Sequence, residues 1–228
     1  MRYVAILTAA VLATPWGLRA QVTTVDEGSF TIYRGAASIG RETFTIRRNA
    51  SPGGDVFVAS ATVQLDEQHI SPALRTDGTG APLAYQVEVR KGSQVQERLS
   101  GQVGRGRFSA RVKTPRGESA KEYIVSDGAL ILDDDIFHQY YFLVQRARSG
   151  TATIPVVIPR RNTQETMRIQ SGANEPVRVG TSSVEGRHYT ITEPNGATRQ
   201  VWADAQGRIL KVHLDAGNIT AVRDELPH

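Results

Sequence analysis

Five histidines are the residues best suited to acid–base or metal chemistry: His69, His138, His188, His213 and His228. None stands at an H-x-H, H-E-x-x-H or other ligand spacing, so no metal site is read. His188 and His213 fall on strands of the C-terminal meander, where two strand histidines need no common role. His138 follows Asp133-Asp134-Asp135, and a carboxylate beside an imidazole would make a general base. No G-x-S-x-G elbow or other nucleophile signature accompanies it. Three aspartates opening a helix are accounted for by the positive end of its dipole, and they lack the alternating D-x-D-x-D-G of a calcium loop. A hydrolase using His138 is therefore a subordinate alternative, and no catalytic residue is assigned. Gly101 to Gly106 (GQVGRG) has the glycines of a phosphate loop but neither a following helix nor Gly-Lys-Ser/Thr, which makes it a hairpin turn. The chain has no cysteine, which removes disulfides, thiolate catalysis and cysteine-ligated metals together. No cofactor is implied.

The segment that must position anything else is Leu130 to Gly150, LILDDDIFHQYYFLVQRARSG. Ile136, Tyr140, Leu143, Val144 and Ala147 form one apolar stripe at helical spacing, widened by Phe137 and Tyr141. The spacing predicts a helix over about 134–147, capped by the aspartates and ended by Arg146, Arg148 and Gly150. If its aromatics line a cavity rather than a core, Phe137, Tyr140, Tyr141 and Val144, with Trp202, are the candidate contacts for an apolar ligand. A second candidate is a basic stripe, Arg105, Arg107, Arg111 and Lys113, read on one strand face, which would meet anionic surfaces. The plainer account is a solvated strand face.

Almost everything else alternates with period two. Phe30 and Ile32, Phe44 and Ile46, Val63 and Leu65, Val87 and Val89, Phe108 and Val112 mark inward faces, separated by glycine-rich turns. Pro72 suits an edge or a bulge, and Pro155 and Pro159 are read as the ends of a short buried strand. Met167 with Ile169, Val177 with Val179, and Tyr189 with Ile191 mark three more strands. Asn195-Gly196 and Asp204 to Gly207 are hairpin turns. The sum is about thirteen strands and one helix. So many alternating strands imply a mainly β protein, a curved antiparallel sheet or incomplete β-barrel with the helix on its concave side. A β-sandwich with a covering helix is the alternative.

Residues 1–20 read as a signal peptide, with Arg2 ahead of the apolar run Val4 to Leu12 and cleavage after Ala20. The run is shorter than the ~20 residues a membrane span needs. Export to the periplasm or medium is the expected localisation, with 21–228 as a single β-rich domain and no transmembrane segment in it. Removing Arg2 and Arg19 from 27 basic residues leaves 25 against 23 acidic, so the formal charge falls from +4 to +2. That balance argues against a nucleic-acid partner.

Two stretches carry a resemblance. FTIYRGAASIGRETFTI (Phe30 to Ile46) is a strand, a glycine turn and a second strand. YTITEPNGATRQVWADAQGRILKVHL (Tyr189 to Leu214) is a strand, a hairpin, W-x-D-x-x-G-R and a last strand. Together they resemble uncharacterised bacterial exported β-rich domains of unknown function, often an incomplete barrel like the periplasmic lipoprotein carriers. The resemblance implies no catalytic residues. The expected function is non-enzymatic binding of a hydrophobic or lipid-like small molecule between sheet and helix. The alternative is an envelope structural or interaction module with a protein partner.

Overall fold

A computed structural model describes residues 21–148 and 150–228, so the expected signal peptide lies outside the described residues. The chain opens with an eight-strand meander: β1 (Gln21–Arg34), β2 (Ala37–Ala50), β3 (Val56–Leu65), β4 (Gln68–Asp77), β5 (Pro82–Lys91), β6 (Gln94–Gly104), β7 (Arg107–Thr114) and β8 (Gly117–Ile124). A short β9 (Leu130–Ile131) and a helix α1 (Tyr140–Arg146) follow. The second meander is β10 (Thr151–Ile158), β11 (Thr163–Val179), β12 (Ser182–Thr192), β13 (Thr198–Ala203), β14 (Ile209–Leu214) and β15 (Ile219–Arg223). All fifteen belong to one curved sheet, in which β15 pairs antiparallel with β1 and joins the two meanders. β8 and β9 are its two edges. Only β9 with β10 runs parallel, Leu130 opposite Val156, because the crossover through α1 returns the chain in the same direction.

The core is the concave face. Phe30, Ile32, Phe44, Ile46, Leu74 and Tyr85 from the first half meet Val156, Met167, Ile191, Val201 and Val212 from the second, with α1 between them. Phe142 packs edge-on to Phe57 on one side, and Tyr140 meets Arg199 on the other. The helix thus spans the concavity as a plug.

Several sequence expectations change here. The helix is seven residues, not fourteen, and begins at Tyr140. Asp135 adopts a positive φ of 60°, which diverts the chain before a helix can start. The helix carries no side-chain cap and no acid in its first turn, so the three aspartates are not its cap. Seven residues rich in Tyr, Phe and Val do not hold a helix alone; burial of Tyr140 through Val144 holds it. Pro72 lies inside a central strand, β4, opposite Val87 of β5. The ladder to β3 skips from Ser60–Ala73 to Val63–Ile70 around it, which spares the missing N–H. Pro155 sits within β10, beyond the two-residue reach of β9. The strands expected at Met167–Ile169 and Val177–Val179 are one, β11, kept continuous by an irregular register between Ser171 and Asn174.

Candidate functional site

The structure brings Phe137, Tyr140, Tyr141 and Val144 together, at 1, 2, 7 and 0% exposure, inside the main core. Phe137 and Tyr140 also border a cavity of about 250 Å³, whose other walls include Asp133, Asp134, Asp135, Arg161, Glu193 and Arg199. Those charges are matched: Arg161 Nε lies 2.6 Å from Asp134, and Arg199 donates to Glu193 at 2.6 Å and to the Tyr140 hydroxyl at 2.7 Å. Such a charged hollow is a poor host for an apolar ligand.

His138 is buried against Glu42, which accepts from the backbone N–H of Phe137 at 2.6 Å, from that of His138 at 3.1 Å, and contacts the imidazole Nδ1. The ring stacks on Phe44, and its Nε2 is buried with no hydrogen-bond partner among the described residues. No hydroxyl of the described residues bonds that nitrogen, and the pair ties the turn before α1 to β2. Asp133 has a similar task. Its carboxylate accepts from Tyr85 at 2.7 Å and from Arg160 Nε at 3.0 Å, while its N–H donates to Gln139. Burial, then the Asp133 charge, pushes the Tyr85 phenol well above its usual value.

Trp202, expected beside the helix aromatics, lies on the opposite, convex face. Period two decides this: Val201 and Ala203 point into the core, and Trp202 points out. There it joins Val177, Val179, Val184 and Leu210 in a second small apolar cluster. The cluster exists because the distal half of the β11–β12 hairpin folds over the sheet. Gly186 makes room, since a Cβ there would come within 2.9 Å of Val177 and 3.1 Å of Leu210. At the tip, Gly180 has φ +56° and touches the backbone of Asp224; a Cβ would stand 2.7 Å from that carbonyl.

Between hairpin and sheet lies an open cleft of about 540 Å³. Its floor is one cross-strand row, Trp202, Lys211, Val222 and Thr31, each directly opposite the next on β13, β14, β15 and β1. Tyr33 extends the floor, and Glu175, Pro176, Val177, Arg178 and Gly180 form the roof. His188 stacks on Trp202 at 4.7 Å, and Lys211 Nζ stands 4.5 Å from the indole centroid. The indole N–H donates to Glu175 at 3.0 Å. Sequence reasoning missed this site. Its signal was the outward parity of Trp202 and Lys211 on adjacent strands, beside an unusually long hairpin.

The basic residues are distributed differently from expectation. Arg107, Arg111 and Lys113 are exposed on β7, but Arg105 sits in the preceding turn with φ 53°. Arg107 pairs with Glu122 at 2.7 Å and Arg111 with Glu118 at 3.6 Å, so the stripe is largely neutralised from β8. His188 and His213 are held apart by β13: His188 bonds Gln200, and His213 bonds Thr220. No group of three or more His, Asp or Glu suited to a metal occurs among the described residues. No helix among them is long and apolar enough to cross a membrane.

This curved sheet with a plug has a structural likeness. Its fold is β-barrel-like. One similar structure is the crystal structure of a β-barrel-like protein of the DUF1849 domain of unknown function from Brucella abortus, with a TM-score of 0.54 and 12% identity. It covers 90% of this chain and 96% of that one. A DUF1089 family protein from Pseudomonas aeruginosa aligns at a TM-score of 0.41 and 16% identity, over 88% and 95% of the two chains. No family profile and no curated protein matches the sequence.

Proposed function

We propose that this is an exported, non-enzymatic binding protein that holds a small, partly apolar molecule in the cleft under the β11–β12 hairpin. The observation that carries the reading is the cleft itself: about 540 Å³, walled by a folded-over hairpin and floored by an aromatic and aliphatic row. That volume is within the ~300–1,000 Å³ of small-molecule sites. The concave side, by contrast, is filled by core side chains and matched charges. Export rests on the leader-like residues 1–20. The barrel-like likeness is compatible with a carrier role and names no ligand.

The test uses chain 21–228, in which Trp202 is the only tryptophan, since the other is Trp16. Titration with the uncharged probe N-phenyl-1-naphthylamine should give saturable energy transfer from Trp202. Val222→Tyr, which adds bulk to the cleft floor, should weaken it about ten-fold or more. Absence of saturation, or equal binding by Val222→Tyr, overturns the proposal.

A further inference from the structure

The chemistry of the cleft goes further than its shape. We infer that its ligand carries an anionic head group, held by Lys211 with Arg178 on the roof, and a single apolar tail; this rests on the cleft being the binding site. Most charges around the cleft are already used within the protein. Glu175 accepts from the Trp202 indole at 3.0 Å and faces His188 Nδ1 at 3.2 Å. Asp224 accepts from Ser29 at 2.6 Å and Thr31 at 2.5 Å, and pairs with Arg41 at 3.0 Å. Arg223 turns inward to Asp26, at 2.7 Å. Both carboxylates and one cation are therefore engaged within the protein.

The remaining two cations are not. Lys211 has no carboxylate within ion-pair distance among the described residues, and its ammonium rests over the Trp202 ring. A cation–π contact fixes an ammonium in place without neutralising it. Arg178 makes one long bond, 3.4 Å, to the Gly180 carbonyl. Both line the same cleft as Val177, Val222, Pro176 and Tyr33, which offer apolar surface to a chain. A cationic ligand would find Asp224 paired with Arg41 and the single charge of Glu175 outweighed by Lys211 and Arg178. An uncharged one would leave the ammonium uncompensated in a partly closed site. A carboxylate or phosphate on a short hydrocarbon meets both features, and the charge-assisted bond is the stronger kind.

The experiment measures displacement of N-phenyl-1-naphthylamine from chain 21–228 by four single-chain competitors below their micelle concentrations. These are dodecanoate, dodecyl phosphate, dodecanol and dodecyltrimethylammonium, each against the parent and Lys211→Gln. At least one anion should compete about ten-fold better than dodecanol, and Lys211→Gln should bring that anion-to-dodecanol ratio down to near one. Far-ultraviolet circular dichroism and an unchanged thermal midpoint check that the variant is folded. Which anion prevails separates a carboxylate from a phosphate head. Anions no better than dodecanol, a preferred ammonium, or an anion advantage that survives Lys211→Gln overturns the inference while the cleft remains a binding site. If neither the probe nor any competitor binds saturably, the cleft reading falls, and this inference with it.

Discussion

Glu42, Arg199 and Arg223 are charged residues whose side chains are almost wholly withdrawn from water. Each is kept there by a specific set of partners. Arg223 donates to both Asp26 oxygens, at 2.7 and 3.0 Å, and to the carbonyls of Glu27 and Ile209. Burial raises the Asp26 carboxyl above its ordinary value, and the Arg223 hydrogen bond and charge work against that rise. Glu42 serves three nitrogens at once. Replacing it by Ala orphans two backbone N–H groups and the His138 ring, and a loss of about 3 kcal/mol or more is expected in urea unfolding. Glu42→Gln, which keeps an acceptor, should lose less. Equal and small losses would mean the contacts are dispensable. These pairs were half-legible. Strand parity puts Glu42 on the face of Phe44 and Ile46, and Arg199 on the face of Val201, so an inward polar residue could be read from each strand. Its partner could not, because Asp26 and Arg223 are 197 positions apart and nothing local links them.

At the scale of elements, alternation located nearly every strand and the paired turns, because period two is fixed by the pleat itself. The helix was placed in the right segment and given the wrong start. Its apolar stripe is real, but the residues before Tyr140 serve tertiary partners instead of a cap: Asp133 holds Tyr85 and Arg160, and Asp134 holds Arg161. That competition cannot be seen in a helical pattern. It makes a prediction at Asp135. Burial raises its carboxyl above 3.8, with Arg160 opposing and the neighbouring aspartates adding to the rise. A raised folded value means the folded state holds the proton more tightly than the unfolded chain. The stability this gives is complete below about pH 3.8 and is lost as pH rises through the folded value. Asp135→Asn removes the ionisation and tolerates the positive φ, so its Tm should exceed the parent's at pH 7 and match it near pH 3. A carboxylate favoured by the helix dipole would behave oppositely, since losing its charge costs stability at neutral pH. A Tm below the parent's at pH 7 would restore a stabilising role for the Asp135 charge.

For the whole molecule, the decisive fact is that fifteen strands curl almost to closure without a closing ladder. The first half of the chain ends at edge β8, and the second half begins at the short edge β9. What joins the gap is side chains. The Tyr123 hydroxyl stands 3.2 Å from the Pro159 carbonyl and 3.1 Å from Asn162, and Gln164 donates to the Ile124 carbonyl at 2.5 Å. Lys121, on the inward parity of β8, adds the kind of charge that discourages a free edge from pairing with another chain. A seam of isolated bonds, each worth about 1 kcal/mol, should open before the β1–β15 junction does, where ladders run on both sides and Phe30 and Ile32 are wholly buried. Native-state hydrogen exchange should therefore show the β7–β8 hairpin opening at lower free energy than β1, β2 and β15. Tyr123→Phe combined with Gln164→Ala should accelerate exchange in β7 and β8 by roughly ten-fold, with little change in β1 or β15. Equal acceleration across all of them would mean that the sheet opens as one unit, and that these few side-chain bonds carry the closure of the whole barrel.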